Sequence, residues 1–187
     1  MNREQWLEKA TKLFRPEFEK AGFPLPEKIR VSCGFPSSKA RARRNMAIGE
    51  HWSPKASSDQ THEIFISPVL NDQTGVLATL VHELCHAATD GDGHKGRFPA
   101  SARALKLEGK PTATFGGDPF KQTFEGIYKK LGEYPHAKLN AMSNVKKQGT
   151  RMLKAQCPDC TYTVRLTAKW AEMGLPTCIC GEELELA

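Results

Sequence analysis

Residues 76–94 read Val-Leu-Ala-Thr-Leu-Val-His-Glu-Leu-Cys-His-Ala-Ala-Thr-Asp-Gly-Asp-Gly-His. Val76, Leu77, Leu80, Val81, Leu84, Cys85 and Ala88 recur at helical spacing and predict one apolar stripe on a helix over about 72–89. Asp72 or Thr74 can cap its start. Gly91 and Gly93 end it and let the chain turn back. On such a helix His82 and His86 stand one turn apart on the same face and can grip one ion together. His94 follows the glycine turn at once, so it can return as a third ligand. Neutral imidazoles suit zinc, and Glu83, beside the first histidine, can take the proton that a zinc-bound water loses. This is the arrangement of a zinc hydrolase, usually a peptidase. Glu108 and Asp118, further along the chain, are rival third ligands, but only His94 is placed by the turn without further assumption.

Working outward, the 187 residues allow one ordinary domain plus a small appendage, and 39% hydrophobic content is enough for a sizeable core. No apolar run approaches the roughly 18 residues that a membrane span needs. The N-terminal stretch Met1-Asn-Arg-Glu-Gln-Trp-Leu-Glu-Lys9 lacks the apolar core of a signal peptide, so a cytoplasmic, reducing compartment is expected. The formal charge is +6, and the excess is concentrated. Residues 28–55 carry Lys28, Arg30, Lys39, Arg41, Arg43, Arg44 and Lys55 against Glu50 alone. Residues 138–170 carry Lys138, Lys146, Lys147, Arg151, Lys154, Arg165 and Lys169 against Asp159 alone. Two basic segments point to a polyanion, most often nucleic acid, single- or double-stranded DNA included.

The flanking periodicities predict a helix over 3–21, with Pro16 as a break or kink. Short strands are expected at 29–32, 46–52 and 61–67, and further helices at 97–107 and 119–131. The 61–67 strand, with Ile64 and Ile66 on one face, is expected at a sheet edge where an extended substrate can pair, and His62 on it is expected at the surface. Tyr134 and His136, in the turn that leaves the 119–131 helix, are candidates to stabilise an oxyanion. Residues 138–150 are basic and nearly featureless and read as a linker between a domain at 1–137 and a second at 151–187.

That second segment carries Cys157-Pro-Asp-Cys160 and Cys178-Ile-Cys180. Four thiolates in two close pairs can close a tetrahedral zinc site with no open position, which is a structural site. The stretch between them offers a strand at 162–166 and a short helix at 168–173. About 37 residues bury little core, so the metal would supply most of the folding free energy. Cys85 lies on the apolar stripe as a small buried hydrophobe, and Cys33 has no evident partner.

Taken as a set, these residues resemble a known family. Val81-His-Glu-Leu-Cys-His-Ala87, followed by Asp92-Gly-His-Lys-Gly-Arg-Phe98, is similar to the SprT-like (Spartan-type) zinc metallopeptidases, with Phe98 at the position of their aromatic residue. The four C-terminal cysteines resemble the zinc ribbon that many members carry. Ile48-Gly-Glu-His-Trp-Ser-Pro54, His62-Glu-Ile-Phe-Ile-Ser67 and Tyr134-Pro-His136 extend the likeness to small bacterial and phage-encoded members. The resemblance implies an α+β fold: a minimal zincin domain, a short sheet on a few helices with the motif helix central, followed by the ribbon. It implies one catalytic and one structural zinc, and action on proteins associated with DNA. The other reading is a DNA-binding or transcription-accessory module whose zincin fold is vestigial or only autoproteolytic. Glu83 argues against that reading, since a purely structural site has no need of it.

Overall fold

Asp72 decides where the central helix begins. In the computed structural model, which describes residues 1–143 and 152–187, its carboxylate accepts a hydrogen bond from Gly75 N at 2.8 Å and caps helix α2, Gln73–Ala88. At the other end the Thr89 hydroxyl donates to Cys85 O at 2.8 Å. Gly91 and Gly93 then adopt φ of 90° and 57°, a region closed to most side chains, and the chain reverses. The buried face of α2 is wider than the expected stripe. Ala78, Thr79 and Ala87 are buried along with the expected apolar positions other than the half-buried Ala88, because the helix is covered on more than one side.

The chain forms two compact units, Met1–Ser143 and Asn144–Ala187. In the first, a three-stranded sheet is ordered β1 (Ile29–Cys33), β3 (His62–Ile66), β2 (Gly49–Trp52). β1 runs parallel to β3, with Val31 opposite Ile64, and β2 runs antiparallel to it, with His51 opposite Ile64. The strand expected at the edge is therefore the central one, and β2 and β1 are the edges. Along β3, His62, Ile64 and Ile66 are buried while Glu63 and Phe65 are half-buried, the alternation a sheet with one covered face requires.

Helix α1, Arg3–Lys20, starts at an Asn2–Gln5 capping box. It runs through Pro16 without the expected break; the ring forfeits one backbone donor, and the buried Trp6, Leu7, Ala10, Phe14 and Phe18 hold the helix against the core. The helix expected over 97–107 is shorter, α3 (Phe98–Ala104). The stretch after it folds as a hairpin of β4 (Glu108–Lys110) and β5 (Ala113–Phe115). The helix expected over 119–131 is two, α4 (Asp118–Thr123) and α5 (Glu125–Leu131), parted at Phe124 where φ and ψ are −106° and 18°. Phe124 is buried edge-on against Phe14 and Phe120, so packing of its ring decides where the chain bends.

In the second unit, β6 (Leu153–Gln156) lies between β7 (Thr163–Leu166) and β8 (Glu185–Leu186), and α6 (Ala168–Glu172) follows β7. Among the described residues its core is Ala155, Cys157, Cys178 and Leu184, with Val164, Leu166 and Leu175 packed against it. Residues 144–150 of the expected linker lie outside the described residues. Leu139, near its start, donates its N–H to Pro68 O at 2.9 Å. Among the described residues no helix is long and apolar enough to cross a membrane.

Candidate metal centre

Three imidazoles converge at the C-terminal half of α2. His94 Nε2 lies 3.2 Å from His82 Nε2 and 3.3 Å from His86 Nε2. Four tetrahedral bonds of about 2.0–2.1 Å place neighbouring ligands roughly 3.3 Å apart, so these nitrogens stand at the edges of a coordination shell. The turn that delivers His94 is held by Asp92, whose carboxylate accepts from Arg97 N at 2.8 Å. Phe98, fully buried, touches all three rings: it stacks on His86 at 4.3 Å between centroids and meets His82 and His94 edge-on at 4.9 Å and 5.1 Å. The cluster is thereby dry on one side and open to a cleft on the other.

Burial pushes His82 down to about 4, with His94 adding to it, and pushes His86 down to about 3, with His82, His94 and His51 adding. Burial lowers His94 as well, so all three rings are biased toward the neutral form, the state a metal ligand needs. Glu83 is buried, and burial pushes its carboxyl up to about 8, with Glu50 adding to the shift. A carboxyl with that affinity is suited to exchange a proton near neutrality.

Three further residues complete the site, and none was singled out from sequence. Thr114, on β5, stands 2.8 Å from His82 Nδ1. With Nε2 turned to the triad, Nδ1–H is left to donate to the threonine hydroxyl, which fixes both the tautomer and the ring. Gly49, at the start of β2, lies over Glu83: a Cβ there would stand 2.4 Å from Glu83 Oε1 and 2.7 Å from Thr79 Cγ2. Any larger residue would displace the carboxylate or the strand from this position. His51, on the same strand, lines the cleft with its ring parallel to that of His86, 6.2 Å between centroids. Gly49 and His51 fall within the Ile48–Pro54 stretch of the resemblance, but neither they nor Thr114 carry a local signal of their role, because each reaches α2 from a strand remote in the chain.

The cleft has a volume of about 1110 Å³, with the triad and Glu83 in one wall, β2 in another, and Thr112–Thr114 of the hairpin across from it. Lys39 and Lys55 line it as well. Lys39 belongs to a loop on which Arg41, Arg43 and Arg44 are exposed; Arg30, from the same basic segment, is instead engaged by Asp59 and Glu63.

The other candidates lie elsewhere. Tyr134 packs edge-on against Trp6 at 5.0 Å. His136 accepts from Arg3 Nη1 at 3.3 Å and donates to Pro68 O at 2.9 Å. Neither lines the cleft. The Glu108 carboxylate lies against Gly117, and the Asp118 side chain is 86% exposed; neither joins the triad. His62 is buried, against the expectation of a surface position, because it shares the covered face of β3 with Ile64.

In the second unit the four sulfurs of Cys157, Cys160, Cys178 and Cys180 lie within 4.8 Å of one another. Cys157 Sγ is 3.5 Å from Cys180 Sγ, and Cys160 Sγ is 3.3 Å from Cys178 Sγ. The backbone N–H of Cys160, joined by that of Asp159, draws the Cys157 thiol down to about 7, toward the thiolate that binds metal. Both clusters could hold a metal ion. Comparison with protein-family models, with curated proteins and with solved structures returns no match.

Proposed function

We propose that this chain is a zinc-dependent endopeptidase of the SprT-like type, built on a minimal zincin domain and acting on proteins associated with DNA. The observation that carries the reading is the convergence of His82, His86 and His94 on one point beside the buried carboxyl of Glu83, in a cleft bordered by a sheet edge. When bound there, zinc supplies Lewis-acid polarisation of a peptide carbonyl and a water nucleophile at neutral pH. Glu83 takes a proton from the attacking water and returns it to the leaving amine nitrogen. Gly49 keeps that carboxylate in place, and Thr114 keeps His82 aimed. The free edge of β2 offers its backbone groups to an extended peptide laid along the cleft, the role first expected of the 61–67 strand.

The four cysteines hold a second, structural zinc in this reading, because a core as small as Ala155 and Leu184 with a few half-buried neighbours cannot sustain a fold alone. DNA association is supported by the exposed Arg41, Arg43 and Arg44 near the cleft and by two features of the ribbon. Lys154 stands directly opposite Arg165 in the β6–β7 register, a like-charge pair that an anion would relieve. Tyr162 and Trp170 are half or more exposed, with Lys169 Nζ 5.2 Å from the Trp170 ring, a stacking surface of the kind bases use. Lys146, Lys147 and Arg151 of the second basic segment lie outside the described residues.

The test compares wild type with Glu83→Gln. Both should carry two zinc ions per chain and bind DNA with equal, salt-dependent affinity. Only wild type should cleave a DNA-bound protein, faster with DNA than without. Two zincs and tight DNA binding with no cleavage by wild type of any DNA-bound protein or of itself would favour a binding module instead.

A further inference from the structure

Five of the six histidines gather in one place, and the metal triad uses three. The other two form a pair. His51 Nε2 lies 2.8 Å from His62 Nδ1, and their rings stack at 5.1 Å with 22° between planes. The strand register explains the pairing: His51 stands opposite Ile64, so His62, two residues earlier on β3, is its diagonal neighbour on the same covered face. The row continues to the metal centre, since His51 lies parallel to His86 on its other side. His62 is 6% exposed and reaches the cleft only through His51, which lines the cleft. Among the described residues His51 Nδ1 has no hydrogen-bond partner.

This pair fills a gap. Attack on a peptide carbonyl places negative charge on its oxygen, and a donor aimed at that oxygen lowers the barrier. Tyr134 and His136 lie away from the cleft, and Thr114 is engaged with His82. When His62 Nδ1–H donates to His51 Nε2, the neutral His51 carries its hydrogen on Nδ1. We propose that His51 is a catalytic residue that donates a hydrogen bond from Nδ1 to the oxygen of the scissile carbonyl, with His62 as the positioning residue that fixes its tautomer and ring. His51 keeps its proton throughout. The assignment rests on the peptidase reading above, and its test includes an arm that needs no turnover.

The experiment uses the zinc-loaded protein, a fluorescence-quenched peptide that wild type cleaves, and a phosphinic peptide of the same sequence as a tetrahedral mimic. His51→Phe should retain zinc, lower kcat by about 10²–10³-fold with KM within about twofold, and weaken the phosphinic peptide by a similar factor. His51→Gln, which restores a donor, should recover about tenfold of the loss. His62→Phe should lose about tenfold and shift the His51 ring nitrogens in long-range ¹H–¹⁵N spectra, which in wild type should show the hydrogen on Nδ1. A changed KM with kcat intact, an unchanged kcat, loss of zinc from both His51 variants, or a hydrogen on Nε2 would each overturn the assignment. If wild type binds the phosphinic peptide yet cleaves nothing, the peptidase reading fails by itself, and the weakening in His51→Phe still decides whether His51 makes the contact. If wild type binds neither, both fall.

Discussion

Gly49→Ala is the smallest substitution that separates holding the metal from using it. The added methyl would stand 2.4 Å from Glu83 Oε1 and 3.0 Å from its Cδ, with Thr79 Cγ2 at 2.7 Å on the other side. Ordinary contact begins near 3.4 Å, so the carboxylate must retreat by about 1 Å or β2 must lift from α2. Either movement displaces a group from the reacting atoms. A misplacement of about 1 Å costs roughly 10²-fold in rate, which is about 2.7 kcal/mol of transition-state stabilisation. Overpacking costs a further 1–3 kcal/mol or so of fold stability, short of unfolding the domain. His82, His86 and His94 are not among the nearest neighbours of the new methyl, so the metal should stay. The assay is peptide hydrolysis beside zinc content and thermal melting on the same sample. The expected result is about one hundredth of the wild-type kcat with both zincs bound and a modest fall in melting temperature. Wild-type turnover in Gly49→Ala would show that Glu83 does not act from the position it occupies here, and zinc loss parallel to activity loss would show that β2 supports the ligands rather than the base.

Thr114→Val keeps the shape of the side chain and removes the acceptor for His82 Nδ1–H. Competition against a chromogenic chelator should show triad zinc held about 10–100-fold more weakly, with Thr114→Ser near wild type. Cys160→Ser should lower the zinc content from two to one per chain and open residues 152–187 to limited proteolysis while peptide cleavage persists. In chelator-treated protein the melting temperature should fall as the pH drops from 6.5 to 4. The unfolded chain takes up protons there that His51 and His82 refuse until about 4 and His86 until about 3, so the unfolded state binds more protons and gains on the native one. Glu83, raised to about 8, works the other way, its contribution being lost as the pH rises from 4.5 through 8, but one carboxyl opposes three imidazoles.

What was legible in the sequence is what a single turn or a single knuckle encodes. Asp72, the spacing of His82 and His86, the glycines before His94 and the paired cysteines are local, and helix geometry or a tight turn places each within a few residues of its neighbour. The structure departs from the sequence expectation where placement depends on partners far along the chain. The 61–67 strand reads alike as an edge or a centre, because alternation reports one covered face and says nothing about how many strands flank it; its central place follows from β1 crossing to its far side. His62 is buried rather than at the surface because it lies on the face that the alternation assigns to Ile64 and Ile66, with His51 of β2 stacked on its ring. The helix expected over 119–131 keeps its spacing through Phe124, yet breaks there because the Phe14 and Phe120 rings claim that side chain.

The face of α2 that could hold a metal is written into one continuous stretch, whereas Gly49, His51, His62 and Thr114, which in our reading aim that face at a substrate, come from strands remote from it in the chain. A chain that lost the β2–β3 pairing while keeping α2 and its turn would still present three histidines to an ion, but it would have neither a seat for Glu83 nor a donor for the oxyanion. The motif therefore suffices to predict a candidate metal centre, and in the proposed reading the sheet that crosses over it determines whether that centre can do chemistry.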